Sequence, residues 1–173
     1  MLSVLRGIRG DAKFFSERFA GGNGAAFELF RFLIHPSHPA LWLIRTAAEG
    51  PLLLNMIARR LLLITYACDV ERGAKLAPGI SVPHPFGLVI GPRVVVERGV
   101  TIFQNVTLGG SKGDYPTVRE GATLFSSCVV VGSSVVGEHA QVGALVFIAG
   151  DVPARSTVSG GTLLREPSRV PAD

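Results

Sequence analysis

The sequence predicts an α+β chain, an N-terminal helical segment followed by a left-handed parallel β-helix of hexapeptide repeats. Three observations predict it. Residues 1–66 carry runs of helix formers cut by Pro36, Pro39, Gly50 and Pro51. After Cys68 aliphatic residues recur every six positions. Glycines and other small residues fill the intervals. The expected organisation is a helical region over 1–66, a solenoid over 67–160 with a loop at 107–116, and a tail over 161–173.

Composition sets the outer limits. With 47% hydrophobic and 17% charged residues in 173, the chain has enough apolar material for a core, which argues against disorder. The formal charge of +4 is spread along the sequence, so no nucleic-acid stripe is expected. Cys68 and Cys128 stand far apart, without a Cys-x-x-Cys partner. That argues against a disulfide framework and favours a reduced, cytoplasmic setting. The start, MLSVLRGIRGDAKFF, has neither a sustained apolar core nor a cleavage site, so no signal peptide is read.

The helical pattern runs from about Asp11 to Tyr66, with three expected helices at 24–34, 39–49 and 51–64. Pro39 and Pro51 suit a first helical turn, where a missing N–H does no harm. Arg45 and Glu49 are spaced to pair at i,i+4. The run 51-PLLLNMIARRLLLITYA-67 contains Arg59 and Arg60, costly at the centre of a bilayer. It reads as a buried or interfacial helix, with peripheral membrane association open and packing against the core preferred. No chemistry is visible in this half.

In the second half, aliphatics stand at Val70, Leu76, Val82, Leu88, Val94, Val100 and Val106. They resume at Val118, Leu124, Val130, Val136, Val142 and Ile148. A period of six fits neither an amphipathic helix nor a hairpin sheet. It fits stacked coils, three hexads making one turn of about 18 residues. The interruption, 107-TLGGSKGDYP-116, reads as a polar excursion that keeps the phase, because Val106 to Val118 spans two hexads. Such excursions gather on one face of a solenoid and usually carry binding.

The span 69-DVERGAKLAPGISVPHPFGLVIGPRVVVERGVTIFQNVTLGG-110, followed by 115-YPTVREG-121, resembles the serine O-acetyltransferase branch of the hexapeptide acyltransferases. The shared signals are the fourteen residues between Asp69 and His84, the Gly-Leu-Val-Ile-Gly after the histidine, and Gln-Asn-Val-Thr-Leu-Gly-Gly. The resemblance implies that His84 is a general base and Asp69 its partner. The chemistry asks for such a pair. A hydroxyl is a poor nucleophile at neutral pH, and an imidazole oriented by a carboxylate can take its proton. The resemblance further implies an acetyl-CoA donor in the groove between subunits of a homotrimer. Gly109, Gly110, Lys112, Ser127 and Ala144 are the corresponding positions. Gln104 and Asn105 are either polar stacking residues or face the acceptor. No metal is expected: a γ-type carbonic anhydrase needs three histidines, and only His84 and His139 lie in the coils. His35 and His38 read as helix-junction residues, and His139 as an exposed corner.

The sequence departs from that pattern where serine is held. Pro83 replaces an aspartate, Asp114–Tyr115 replaces Arg-His, and the loop is shorter; only Arg119 persists. A zwitterion loses charge-assisted bonds of roughly 1.5–3 kcal/mol each by those changes. The expected acceptor is therefore a hydroxyl of a sugar or exopolysaccharide precursor, with Pro83, Gln104, Asn105, Asp114, Tyr115 and Arg119 near it. The shorter acetyltransferases of exopolysaccharide pathways are similar in character. One alternative is a serine O-acetyltransferase of cysteine biosynthesis, although the tail ends in Asp173, which argues against a cysteine synthase complex. The other alternative is a non-catalytic solenoid scaffold.

Overall fold

The computed structural model describes residues 2–19 and 37–160, except the side chains of 15–19. The expected helix at 24–34, His35, and the 161–173 tail lie outside the described residues. Among the described residues three helices come first: α1 (Leu2–Phe19), α2 (Ser37–Glu49) and α3 (Leu52–Tyr66). Helix α1 begins well before the expected Asp11. Pro39 falls in the first turn of α2, and Pro51 is the N-cap of α3. Helix α3 ends on Ala67 in the left-handed conformation, and the Cys68 N–H reaches back to the Leu62 carbonyl.

The remainder is a left-handed parallel β-helix of triangular section. Sheet A stacks β1 (Asp69–Val70), β3 (Val89–Ile90), β6 (Thr107–Gly109), β9 (Val129–Val131) and β12 (Phe147–Ile148). Sheet B stacks β2 (Lys75–Leu76), β4 (Val95–Val96), β7 (Thr117–Val118) and β10 (Val135–Val136). Sheet C stacks β5 (Thr101–Ile102), β8 (Thr123–Leu124), β11 (Gln141–Val142) and β13 (Thr157–Val158). The chain travels A to B to C and back to A, giving three edges: A–B, B–C and C–A. Every strand pairing is parallel, and the inner residues are fully aliphatic.

Strand register corrects the reading of an unbroken six. Asp69 pairs with Val89, twenty residues on, whereas Val89 pairs with Thr107, eighteen on. Two extra residues therefore enter the first coil. Ser81 still aligns with Thr101, and the Asn105 N–H bonds the Phe86 carbonyl, so the surplus is His84–Pro85. The excursion does not keep the phase either: Val95 pairs with Thr117, twenty-two on, so four residues are added. The slips stay hidden because each hexad buries two aliphatics. Ile90, Val96 and Ile102 point inward from strands, while Leu88, Val94 and Val100 are buried just after the corners. A shift of two moves the pattern from one buried set to the other.

The excursion is a closed hairpin rather than an open loop. Ser111 and Asp114 exchange both backbone hydrogen bonds at 3.0 Å, and Lys112 and Gly113 both have positive φ. That is the backbone of a type I′ turn, which suits glycine at its second central position.

The helices dock on the first coils through a buried ion pair. Arg45 of α2 donates from Nη2 to Asp11 Oδ1 at 2.7 Å and to the Ala77 carbonyl at 2.8 Å, and from Nη1 to the Leu76 carbonyl at 2.8 Å. Asp11 also accepts the Gly79 N–H at 2.8 Å. Burial pushes the Asp11 carboxyl up, and Arg45 and the Gly79 N–H pull it back. The expected Arg45–Glu49 pair does not form, because Arg45 turns inward and Glu49 accepts the Leu76 N–H instead. Gly7 makes this approach possible: a Cβ there would come within 2.7 Å of the Arg45 side chain.

Helix α3 is anchored by few side chains. Asn55, Ala58 and Leu62 are buried, while Leu52, Leu53, Met56, Ile57, Leu63 and Ile64 are exposed. Among the described residues no helix is long and apolar enough to cross a membrane.

Candidate functional site

The two surplus residues make the C–A edge unlike the others. Pro85 sits at the centre of a three-residue turn in which the Phe86 N–H donates to the His84 carbonyl at 2.8 Å. Proline's fixed φ suits that turn. Pro85 is buried and His84 is exposed, so the insertion lifts the imidazole off the coil. Beneath it the rings of Phe103 and Phe125 stack at 5.4 Å, and His84 lies 6.2 Å from Phe103. Cys68 supports the turn from inside: its thiol donates to the Pro85 carbonyl at 3.4 Å and its sulfur accepts the Leu88 N–H at 3.3 Å.

Asp69 opens β1 at the same end of sheet A, with its N–H bonded to the Leu88 carbonyl at 2.8 Å. The expected hydrogen bond between its carboxylate and His84 is not formed among the described residues. Instead Arg59 of α3 grips it with both prongs of its guanidinium, Nε to Oδ1 at 2.7 Å and Nη2 to Oδ2 at 3.1 Å. The bidentate fork matches a carboxylate better than a single imidazole N–H does. Asp69 in turn holds Arg59 further up than an ordinary arginine. Sequence reasoning missed Arg59, having weighed it only as a bar to membrane insertion.

The residues expected near acceptor and donor divide among the three edges. Pro83, Gln104, Asn105, Ser127 and Ala144 share the C–A edge with His84. There the left-handed corners Asn105 and Ser127 donate their N–H groups to the carbonyls of Phe86 and Gln104, at 2.8 and 3.0 Å. The Gln104 Oε1 is buried and lacks a hydrogen-bond partner among the described residues, leaving an acceptor for a ligand's donor. Gly109 ends β6, and Gly110, Lys112, Asp114 and Tyr115 follow on the A–B edge, across sheet A from His84. Arg119 lies on the B–C edge, where it pairs with Glu97 at 2.7 Å.

Tyr115 is not free to serve as a sugar platform. Its ring fills the space that a Cβ on Gly91 or Gly110 would take, and the Arg93 guanidinium lies 5.0 Å over its face. Arg93 also donates to the Gly113 carbonyl, tying the hairpin to the coil below. His139 is an exposed left-handed corner on the B–C edge, and His38 is buried in α2. Among the described residues no group of three or more His, Cys, Asp or Glu side chains converges on a metal position.

Neither cysteine is poised for reaction. Both are buried, and burial pushes the Cys128 thiol up to about 11 and the Cys68 thiol up as well. A raised thiol value stabilises the folded chain below the ordinary value of 9.0, and that contribution fades as pH climbs towards 11. Thiol labelling with a disulfide reagent at pH 8 is expected to be negligible in the native protein. Both thiols should react on unfolding in guanidinium. Rapid native labelling would contradict the burial.

No protein-family model matches the chain. It is 34% identical to the serine acetyltransferase of Escherichia coli (strain K12) over 116 residues, which cover 65% of this chain and 42% of that protein. A putative serine acetyltransferase of Schizosaccharomyces pombe is 32% identical over 148 residues, covering 81% and 54%. A solved serine acetyltransferase in complex with CoA superposes with a TM-score of 0.77 at 25% identity, over 91% of this chain and 67% of that one. The chain spans about half the length of the curated relatives it matches.

Proposed function

We propose that this chain, a hexapeptide-repeat protein similar to serine acetyltransferases, is an acetyl-CoA-dependent O-acetyltransferase with His84 as its general base. One observation carries the reading. In a chain with these relatives, the histidine at the expected position is lifted from the coil by a two-residue insertion and is exposed. His84 takes the acceptor hydroxyl's proton as that oxygen bonds to the acetyl carbonyl carbon. The carbon–sulfur bond breaks, and the imidazolium returns the proton to the departing thiolate.

The relatives favour serine as acceptor over the glycan hydroxyl expected from the sequence. A specific observation keeps the glycan as second reading. Pro83 offers no carboxylate beside His84, and the Arg119 guanidinium is committed to Glu97 on another edge. Free-CoA release is to be measured with L-serine and with a panel of sugars. Serine turnover well above every sugar is the expected result, and sugar turnover alone would install the second reading.

A homotrimer accounts for the split of donor residues over two edges. Gly109, Gly110 and Lys112 on one chain then face Ser127 and Ala144 on its neighbour. The exposed apolar face of α3, together with Phe86, Val89, Leu145 and Phe147 around sheet A, gives the chain apolar surface to bury in such contacts. Light scattering should return three times the chain mass. A monomer at micromolar concentration would dismiss the shared site.

A further inference from the structure

The Arg59–Asp69 pair is oddly placed for a structural ion pair. Its side chains are 42% and 40% exposed, a setting in which such pairs add little stability. Yet the geometry is bidentate, and α3 holds the arginine between the buried Ala58 and Leu62. Asp69 is fixed on its other side by the Leu88 carbonyl, in the coil that carries His84. The same coil is held by the Cys68 thiol next to Asp69. Glu71 adds a second negative charge felt by Arg59.

We infer that Arg59 is a positioning residue, which fixes the Asp69 carboxylate so that its remaining lone pairs are available to the His84 imidazole. A carboxylate has about four lone-pair sites, and the guanidinium fork takes one on each oxygen. The others stay open to the Nδ1–H of an imidazole that tightens onto them when substrate is bound, as catalytic hydrogen bonds commonly do. Arg59 thus restricts the rotation of Asp69, and once the substrate-bound contact forms Asp69 restricts that of His84. The inference rests on the catalytic reading above, since it gives Asp69 a partner in His84.

The test uses the full chain with Arg59→Met, Arg59→Lys, Asp69→Asn and the double variant Arg59→Met/Asp69→Asn. Arg59→Met is expected to lower kcat by about 10–100-fold while leaving the KM for acetyl-CoA unchanged, the mark of lost orientation. Arg59→Lys should recover only part, because an ammonium lacks the planar fork. The double variant should be no slower than Asp69→Asn alone. Additive losses, or an Arg59→Met enzyme with unaltered kcat, overturn the role.

A second readout does not need turnover. The Arg59 Nε–H resonance should move as His84 is titrated, and should stop doing so in Asp69→Asn. An Arg59 signal indifferent to His84 in the unaltered chain also overturns the inference. If the unaltered chain acetylates no acceptor, the catalytic reading fails by itself, and the resonance still decides whether the three side chains are coupled.

Discussion

His84→Ala is expected to lower acetyl transfer by about 10²–10⁴-fold, the usual range for a lost general base. The side chain is exposed, and among the described residues its ring has one close aromatic neighbour, Phe103. Its removal leaves no cavity and no buried group without a partner. The thermal midpoint should therefore stay within a few degrees of the unaltered chain, since surface changes usually shift stability by less than about 0.5 kcal/mol. Steady-state CoA release and a melting curve on the same preparation separate the two quantities. Unchanged thioester turnover in His84→Ala would reject the base, whereas absence of turnover in the unaltered chain would leave the scaffold reading in its place. Collapse of the fold would show that the Pro83–Pro85 turn needs the imidazole for reasons the structure does not display.

The largest effect on stability is expected at the opposite end of the first coil, from Asp11→Ala. Arg45 is 1% exposed and Asp11 2%. Removing the carboxylate leaves a guanidinium buried with, among the described residues, two backbone carbonyls, those of Leu76 and Ala77. Breaking one side of a buried pair costs about 3–5 kcal/mol. For a chain of this size that corresponds to a fall in Tm of about 6–20 °C. Helix α1 loses its chief polar tie at the same time, so protease cleavage should move to residues 2–19. Replacing both partners with apolar residues, Asp11→Leu with Arg45→Met, should recover much of the loss, because no charge then remains without a partner. A single Asp11→Ala change that leaves Tm unaltered would mean that α1 does not dock on the solenoid as described.

The two variants probe different halves of the same arrangement. His84 depends on the coil register and hardly on the helices. Arg45 and Arg59 are two helix cations that reach the solenoid, one into the core and one onto Asp69. Double combinations of Asp11→Ala with Arg59→Met can report whether docking of α1 and α2 is felt at Asp69.

Much of the architecture was legible in residue order alone. A six-residue aliphatic period has one economical folded solution, because three short strands and three tight corners bury one inward residue each and leave no sheet edge along the coil. The signal at His84 is of a different kind: its neighbours, Gly-Leu-Val-Ile-Gly and the preceding Asp69, resemble those of the serine O-acetyltransferase branch. The register slips were not legible. Leu88 and Ile90, two apart, are both buried, so a two-residue insertion replaces one aliphatic series with another and the spacing survives on paper. Only hydrogen-bond partners, Asp69 with Val89 and Val89 with Thr107, reveal which series faces inward from the strands.

Side-chain partnerships were the other part decided by tertiary structure. Local spacing assigned Arg45 to Glu49, and the family resemblance assigned Asp69 to His84. The folded chain gives Arg45 to Asp11, thirty-four residues away, and Asp69 to Arg59. A charge takes the partner that packing brings within reach, and packing of helices on a solenoid is not written in any short window of sequence. Tyr115 shows the same rule for an aromatic: placed near the acceptor in expectation, its ring fills the space over Gly91 and Gly110. The sequence by itself determined the solenoid, because that follows from periodicity, and its contiguous motifs carry the resemblance on which the proposed role of His84 rests. Tertiary structure alone decided which edge each residue occupies and which charges meet, because both depend on the summed length of every coil between them.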